Sequence, residues 1–154
     1  MELITNIRFK RLSEKIGRDI PFPRYATEGA AGLDLPACLD SPVLIEPGSR
    51  VVIPTGLALQ IPSRYIVGLV FPRSGLAARH GISLANAVGV IDSDYKGEIL
   101  IALINQGDKE YLINPGERVA QIVFMPVFKV KLEETDTLDD TVRGTGGFGS
   151  TGQL

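Results

Sequence analysis

The stretch Ile99-Leu100-Ile101-Ala102-Leu103-Ile104 decides the fold, because it is apolar at six consecutive positions. Its length suits a β-strand better than a helix. A strand with one covered face alternates apolar and polar residues, whereas an uninterrupted apolar run indicates that both faces are covered. We therefore expect one face of this strand in the interior of a sandwich or barrel and the other in a subunit interface.

Similar runs of Val, Ile, Leu and Phe recur along the chain between glycine and proline residues. Pro47-Gly48 and Asn114-Pro115-Gly116 mark turns between them. This pattern predicts an all-β domain of many short strands. Gly75 to His80 is the exception and is predicted as a short helix that Gly81 ends. The predicted strand runs are 43–45, 51–53, 57–61, 65–71, 99–104 and 119–130.

The composition excludes several classes of protein. The chain has 154 residues, the length of one domain, and its 16 Lys and Arg are balanced by 18 Asp and Glu. The basic surplus that non-specific nucleic-acid binding needs is therefore missing. A single cysteine, Cys38, excludes an intramolecular disulfide and a cysteine-built zinc site. With neither a signal-peptide core nor a membrane-length apolar stretch, we expect a cytoplasmic protein with no membrane or nucleic-acid partner.

The C-terminal segment differs from the rest in composition. An acidic stretch begins at Glu133, and a glycine-rich segment follows from Arg143. Neither can build a core, so we expect a barrel domain over residues 1–134 and a flexible tail over 135–154. The tail is not a Walker A loop, because Ser150 stands where that motif has its lysine. Its arginine, hydroxyls and backbone N–H groups could bind phosphate, and the alternative is a plain glycine-rich terminus.

Two further segments carry polar groups between apolar flanks. Arg73-Ser74-Gly75 stands at the predicted helix start, where an anion could bind, and the alternative, which this segment alone favours, is an ordinary helix capped by Ser74. Asn86 lies in a strand-like stretch, where its amide needs a partner such as the edge of a base. Asp92 or Asp94 could be a general base or part of a metal site, and the alternative is an ordinary turn.

Five segments together resemble the five conserved motifs of the trimeric dUTPase family, in that family's order and spacing. The resemblance extends from about residue 24 to the C-terminus. The motifs are Ala31-Gly-Leu-Asp34-Leu, Arg73-Ser-Gly-Leu-Ala, Gly89-Val-Ile-Asp92-Ser-Asp94-Tyr95-Lys-Gly-Glu, Arg118-Val-Ala-Gln121-Ile and Arg143-Gly-Thr-Gly-Gly-Phe148-Gly-Ser-Thr-Gly.

The resemblance implies a jelly-roll-like β-barrel and a homotrimer whose active sites are shared between subunits. It implies Mg²⁺-assisted hydrolysis of dUTP to dUMP and pyrophosphate. That reaction limits uracil incorporation into DNA and supplies dUMP for thymidylate synthesis.

The resemblance also implies a role for each site residue. Asp92 activates the attacking water, Tyr95 packs under the deoxyribose, and Asp34 holds waters of the metal. Arg118 has a supporting role. The residues that read uracil are Asn86, Gly89, Val90, Ile91 and Leu100. Those that bind phosphates are Arg73, Ser74, Gly75 and Gln121. Those of the tail that close over the nucleotide are Arg143, Phe148, Gly149, Ser150 and Thr151.

Two alternatives remain open at this point. A deoxycytidine triphosphate deaminase shares the fold, but its family has Arg-Ser-Ser where this chain has Arg73-Ser74-Gly75, and it lacks the Tyr95 arrangement. A trimeric β-scaffold could instead use its tail to bind a partner protein. That alternative leaves Asn86, Asp92 and the phosphate-like clusters without a role.

Overall fold

The structure is a computed structural model that describes residues 5–147, and over that range it contains eleven β-strands and one short α-helix. The all-β prediction is therefore confirmed. The elements are β1 (Arg8–Arg11), β2 (Arg24–Tyr25), β3 (Leu33–Pro36), β4 (Val43–Ile45), β5 (Arg50–Gln60), β6 (Ile66–Pro72), α1 (Ser74–His80), β7 (Ile82–Leu84), β8 (Gly89–Ile91), β9 (Glu98–Asn105), β10 (Tyr111–Ile113) and β11 (Arg118–Pro126).

Two larger sheets and one two-stranded sheet surround the core in a jelly-roll-like arrangement. The strand orders are β1-β5-β9-β7, β2-β3-β11-β6-β8 and β10-β4, and neighbouring strands in each are antiparallel. Buried residues of all three sheets form one hydrophobic cluster, so the sheets share a single core. Its buried members include Leu35, Ile45, Ile53, Val70, Ile101, Leu103, Ile113 and Ile122.

The apolar run of β9 alternates in its burial. Ile99, Ile101 and Leu103 are buried in the core, whereas Leu100 is 53% exposed on the opposite face. Val52, on the neighbouring strand β5, is 58% exposed. One covered face is thus present within a single chain, and cover for the other face stays a prediction.

Strand β5 unites two runs that the sequence separates. A register shift against β9 falls between Pro54 and Ala58, and within it Gly56 has a φ of +69°. Such a bulge bends a strand without ending it. The buried Thr55 hydroxyl donates to the Ile99 carbonyl at 2.7 Å and so keeps the two strands joined across the bulge.

Strand β11 is shorter than the predicted run, which continued to residue 130. It ends at Pro126, opposite Ile66, the first residue of its partner β6, and Phe128 and Val130 lie beyond it, exposed and outside any strand. Between residues 127 and 147 the structure has no helix or strand, and the division of the chain at residue 134 stays a prediction. Phe148, Gly149, Ser150 and Thr151 lie outside the described residues.

The short helix α1 begins one residue earlier than predicted and ends at Gly81 as predicted. Gly81 has a φ of +68°, and its N–H bonds the Ala77 carbonyl. A Cβ on Gly81 would lie 2.3 Å from the backbone nitrogen of Gly107, so the helix end and the β9–β10 loop touch backbone to backbone. The cap is Arg73 rather than Ser74, and no side-chain bond caps the helix. No helix in residues 5–147 is long and apolar enough to span a membrane.

Candidate active site

A small cavity lies between β8 and the start of β9, and we call it the hairpin pocket. Its volume is about 170 Å³.

 The residues that line the hairpin pocket are Val90, Ile91, Asp92, Tyr95, Glu98, Ile99 and Leu100.

Asp92 lies at the rim of the hairpin pocket, directly after the last residue of β8. A turn holds it there, because the Tyr95 N–H donates to the Asp92 carbonyl at 3.2 Å. Asp92 is exposed, and within residues 5–147 no hydrogen bond or ion pair engages its carboxylate. It is therefore an acceptor with free lone pairs beside a largely apolar cavity.

Tyr95 forms one wall of the hairpin pocket and is 44% exposed. Its hydroxyl donates to the Glu98 carbonyl at 2.8 Å, which ties the ring to the start of β9. Glu98 in turn accepts from the Gly56 N–H at 2.8 Å through Oε1, so the bulge of β5 supports the pocket from behind.

Asn86 is not in a strand, contrary to the prediction. It is exposed in the turn between β7 and β8, where Ala87 has a φ of +61°, a value unusual for a residue other than glycine. A Cβ on Gly89 would lie 3.7 Å from the Asn86 amide nitrogen, so the turn folds back toward the start of β8. Neither Asn86 nor Gly89 lines the hairpin pocket in a single chain.

A second group of polar residues, the arginine cluster, consists of Asp34, Arg73, Arg118 and Gln121. Asp34 is 8% exposed, and its two carboxylate oxygens bind Arg73 Nε at 3.1 Å and Arg118 Nη1 at 2.8 Å. Arg73 Nη1 also donates to the Arg118 carbonyl at 3.0 Å. Arg73 is thus held at two points, by the Asp34 carboxylate and by the Arg118 carbonyl. The buried Asp34 carboxylate in turn has two cationic partners, as a buried charge requires.

The strands explain why these residues meet. Asp34 on β3 is paired with Gln121 on β11, and the Gln121 amide donates to the Pro72 carbonyl at 3.1 Å, one residue before Arg73. The β3–β11 register shifts between Arg118 and Ala120, a bulge that re-aims the residues beside it. Ser74 and Gly75 follow as the first, exposed residues of α1.

A tyrosine supports the arginine cluster from the side of β10. The Tyr111 hydroxyl donates to Glu117 Oε1, and Glu117 Oε2 accepts from the Asn114 N–H at 3.0 Å. Burial, together with the Glu117 carboxylate, raises the pKa of Tyr111 to about 12. This pair fixes the turn that leads directly into Arg118.

The hairpin pocket and the arginine cluster lie at opposite ends of the β6–β8 ribbon. Gly68 is paired with Ile91 and Val70 with Gly89, so Asp92 is level with Val67. Arg73 lies six residues further along, which at roughly 3.3 Å per residue is about 20 Å. Within one chain, Asp92 and Arg73 therefore do not form a single site.

Three polar residues near Asp92 were missed from the sequence. Glu98 lines the hairpin pocket, and Arg64 and Lys129 line a neighbouring cleft that also contains Asp92 and Asp94. Glu98 had a sequence signal, because it directly follows the turn segment. Arg64 and Lys129 had none, since only the pairing of β6 with β8 and β11 brings them there.

The sequence matches the model of one protein family, dUTPase, over residues 18–152. A curated relative, the deoxyuridine 5′-triphosphate nucleotidohydrolase of Hahella chejuensis, is 50% identical over 143 residues, which cover 93% of this chain and 94% of the relative.

Solved structures of similar shape are also dUTPases. A mutant dUTPase of Staphylococcus bacteriophage 80alpha with dUpNHpp is 26% identical, with a TM-score of 0.83 and coverage of 97% of this chain and 99% of that one. A mutant dUTPase from phage phi11 of S. aureus, described with a structural Mg(II) ion, is 24% identical, with a TM-score of 0.74 and coverage of 86% and 98%.

Proposed function

Because the chain belongs to the dUTPase family and is a dUTP diphosphatase, we propose that it forms dUMP and pyrophosphate by attack of an Asp92-activated water on the α-phosphorus. The observation that carries the proposal is the free Asp92 carboxylate at the rim of the hairpin pocket. The expected consequence is less uracil in DNA and a supply of dUMP for thymidylate synthesis. A cytoplasmic location stays a prediction.

Asp92 takes a proton from the water as the water oxygen bonds to the α-phosphorus, and pyrophosphate leaves from the opposite side. The Asp92 carboxylate is exposed and has no hydrogen-bond partner within residues 5–147, so its oxygens are free to contact the water. The turn from Asp92 to Tyr95 holds the carboxylate in place, which favours an in-line approach.

The hairpin pocket suits a flat pyrimidine. Val90, Ile91 and Leu100 offer apolar side chains and backbone groups that can pair with the uracil edge. Tyr95 packs under the deoxyribose and leaves no room for a 2′-hydroxyl. Asn86 and Gly89 contribute from the turn before β8.

The arginine cluster suits the phosphates. The Arg73 guanidinium is preorganised by Asp34 and the Arg118 carbonyl, and it keeps further N–H groups for phosphate oxygens. Ser74 and Gly75 add a hydroxyl and the unpaired N–H groups of a helix start. Gln121 lies beside them.

One site needs two chains under this proposal. Asp92 and Arg73 of the same chain are about 20 Å apart by strand pairing, and a triphosphate is much shorter than that. The hairpin pocket of one subunit must therefore face the arginine cluster of another, as in the predicted homotrimer.

Exposed apolar surface supports such an assembly. The outer face of β5 and β9 carries Val52 and Leu100, and the segment after β11 carries Phe128, Val130 and Leu132, which are 91%, 80% and 91% exposed. Their spacing of two residues is that of a strand with one apolar face. Large apolar patches are rare on free monomers.

Mg²⁺ fits this arrangement as a partner of the nucleotide. Residues 5–147 contain no cluster of three or more potential ligand side chains, and both Asp34 oxygens already bind arginines. Mg²⁺ commonly keeps several waters and binds through few carboxylates plus substrate phosphates. Asp34 would hold it through water, and the bound ion would neutralise charge on the triphosphate.

The tail closes over the nucleotide in this proposal. Arg143 is exposed, and its Nε donates to the Gly146 carbonyl at 3.1 Å, so the rest of its guanidinium is available to phosphate. Phe148, Gly149, Ser150 and Thr151, assigned from the sequence alone, would complete the closure.

A direct test supplies dUTP, UTP and dCTP separately with Mg²⁺ and measures pyrophosphate and ammonia. We expect pyrophosphate from dUTP and little product from the other two. Ammonia from dCTP would instead indicate the deaminase, and no product would favour a scaffold.

A further inference from the structure

Gly97 lies against the Tyr95 ring, and this contact, rather than its backbone conformation, explains why residue 97 has no side chain. Its φ is not positive, so an alanine could adopt the same conformation. An added Cβ, however, would lie 2.5 Å from the Tyr95 hydroxyl oxygen, 2.7 Å from Cζ and 3.0 Å from Cε2. The space that a side chain would take at this position is filled by the Tyr95 ring.

The ring has little freedom to move away. Its hydroxyl is bonded to the Glu98 carbonyl at 2.8 Å, and the Glu98 carboxylate is bonded to the Gly56 N–H in the bulge of β5. Ordinary carbon contacts begin near 3.5 Å, so a methyl group at residue 97 would displace the ring by about 1 Å.

We propose that Gly97, together with the Glu98 carbonyl, positions the Tyr95 ring and thereby sets the preference for deoxyribose over ribose. This inference rests on the proposed function, in which Tyr95 packs under the sugar. Exclusion of a 2′-hydroxyl depends on the height of the ring under C2′, so a displaced ring leaves room for it. Gly97 touches no substrate and acts only through Tyr95.

The test compares kcat/KM for dUTP and UTP in Gly97→Ala. We expect the dUTP-to-UTP ratio to fall at least about tenfold, the effect of one lost discriminating contact. Gly29→Ala is the matched control, because nothing lies within 4 Å of a Cβ there, and its ratio should equal that of the wild type. A folded Gly97→Ala protein with the wild-type ratio would overturn the proposal.

A double-mutant comparison separates this effect from general damage. In a Tyr95→Ala background the ring is gone, so adding Gly97→Ala should change the ratio no further; a further fall would overturn the proposal. If Gly97→Ala alone does not fold, Tyr95→Phe, which loses only the bond to Glu98, becomes the test, and an unchanged ratio overturns the proposal. A wild-type protein that hydrolyses UTP as well as dUTP would contradict the proposed function instead.

Discussion

Asp92 and Asp34 have the same side chain but differ in burial and in the partners of their carboxylates. Asp34 is buried and binds two guanidiniums, whereas Asp92 is exposed and has no partner within the described residues. The first is suited to holding other groups in place, and the second to accepting a proton. This contrast is the reason for proposing Asp92, and not Asp34, as the base.

Asp92→Asn keeps the shape of the side chain and removes its basicity. We expect kcat to fall by at least about 10²-fold, as is typical when a general base is lost, with a smaller change in nucleotide affinity. Steady-state kinetics and a binding titration with a non-hydrolysable analogue measure the two effects. Asp94→Asn is the control, and a defect found there but not in Asp92→Asn would reassign the base to Asp94.

Tyr111 gives a prediction at alkaline pH. Its pKa is raised to about 12 by burial and by Glu117, so between the ordinary value near 10 and 12 the folded state holds a proton that the unfolded state has lost. The free energy of unfolding should therefore fall as pH rises through that range. Denaturant titrations at pH 9, 10 and 11 should show a smaller fall in Tyr111→Phe, and an equal fall would remove the Tyr111–Glu117 pair as its cause.

The sequence predicts the types of the site residues better than their partners. Asp92, Tyr95 and Arg73 stand out because they are polar residues in short segments between apolar strand runs. The contact of Asp34 with Arg73 and Arg118 could not be found, because those arginines come from the ends of other strands and only the pairing of β3 with β11 and of β11 with β6 brings them together.

At the level of elements, the tail can be removed without loss of core packing. Residues 135–145 are exposed, so a chain ending at residue 142 should keep the melting temperature of the full chain. We expect kcat to fall at least about tenfold, because closure favours the transition state over the ground state. Kinetics and a melting curve on the same preparation measure both, and full activity would refute the lid.

Strands built on apolar runs were predictable, including the three-residue β4, and strands without such a run were not. The run at 99–104 became β9 because its buried residues face the core, but β1 and β2 are exposed at every residue and carry no apolar pattern. Strand ends also escaped prediction: β11 ends at Pro126, opposite the first residue of its partner β6, although apolar residues continue along the chain. The jelly-roll-like arrangement came from the family resemblance and not from periodicity.

For the whole molecule, a shared site predicts complementation between two inactive chains. Asp92→Asn and Arg73→Gln each damage one half of the site, so co-expressed chains should form some sites with both halves intact. Random assembly in a closed ring should restore about a quarter of the wild-type activity. Light scattering should give a mass near three times the 16.6 kDa of one chain. A stable monomer, or no restored activity, would contradict the shared site.

The backbone contact between Gly81 and Gly107 limits how this protein can evolve. A side chain at either position would push the end of α1 away from the β9–β10 loop, since an added Cβ would lie 2.3 Å from backbone at Gly81 and 2.7 Å at Gly107. Neither glycine can be exchanged first while the other compensates, because both clashes are with main chain. Random mutagenesis under selection should therefore return many substitutions at exposed tail positions and almost none at these two.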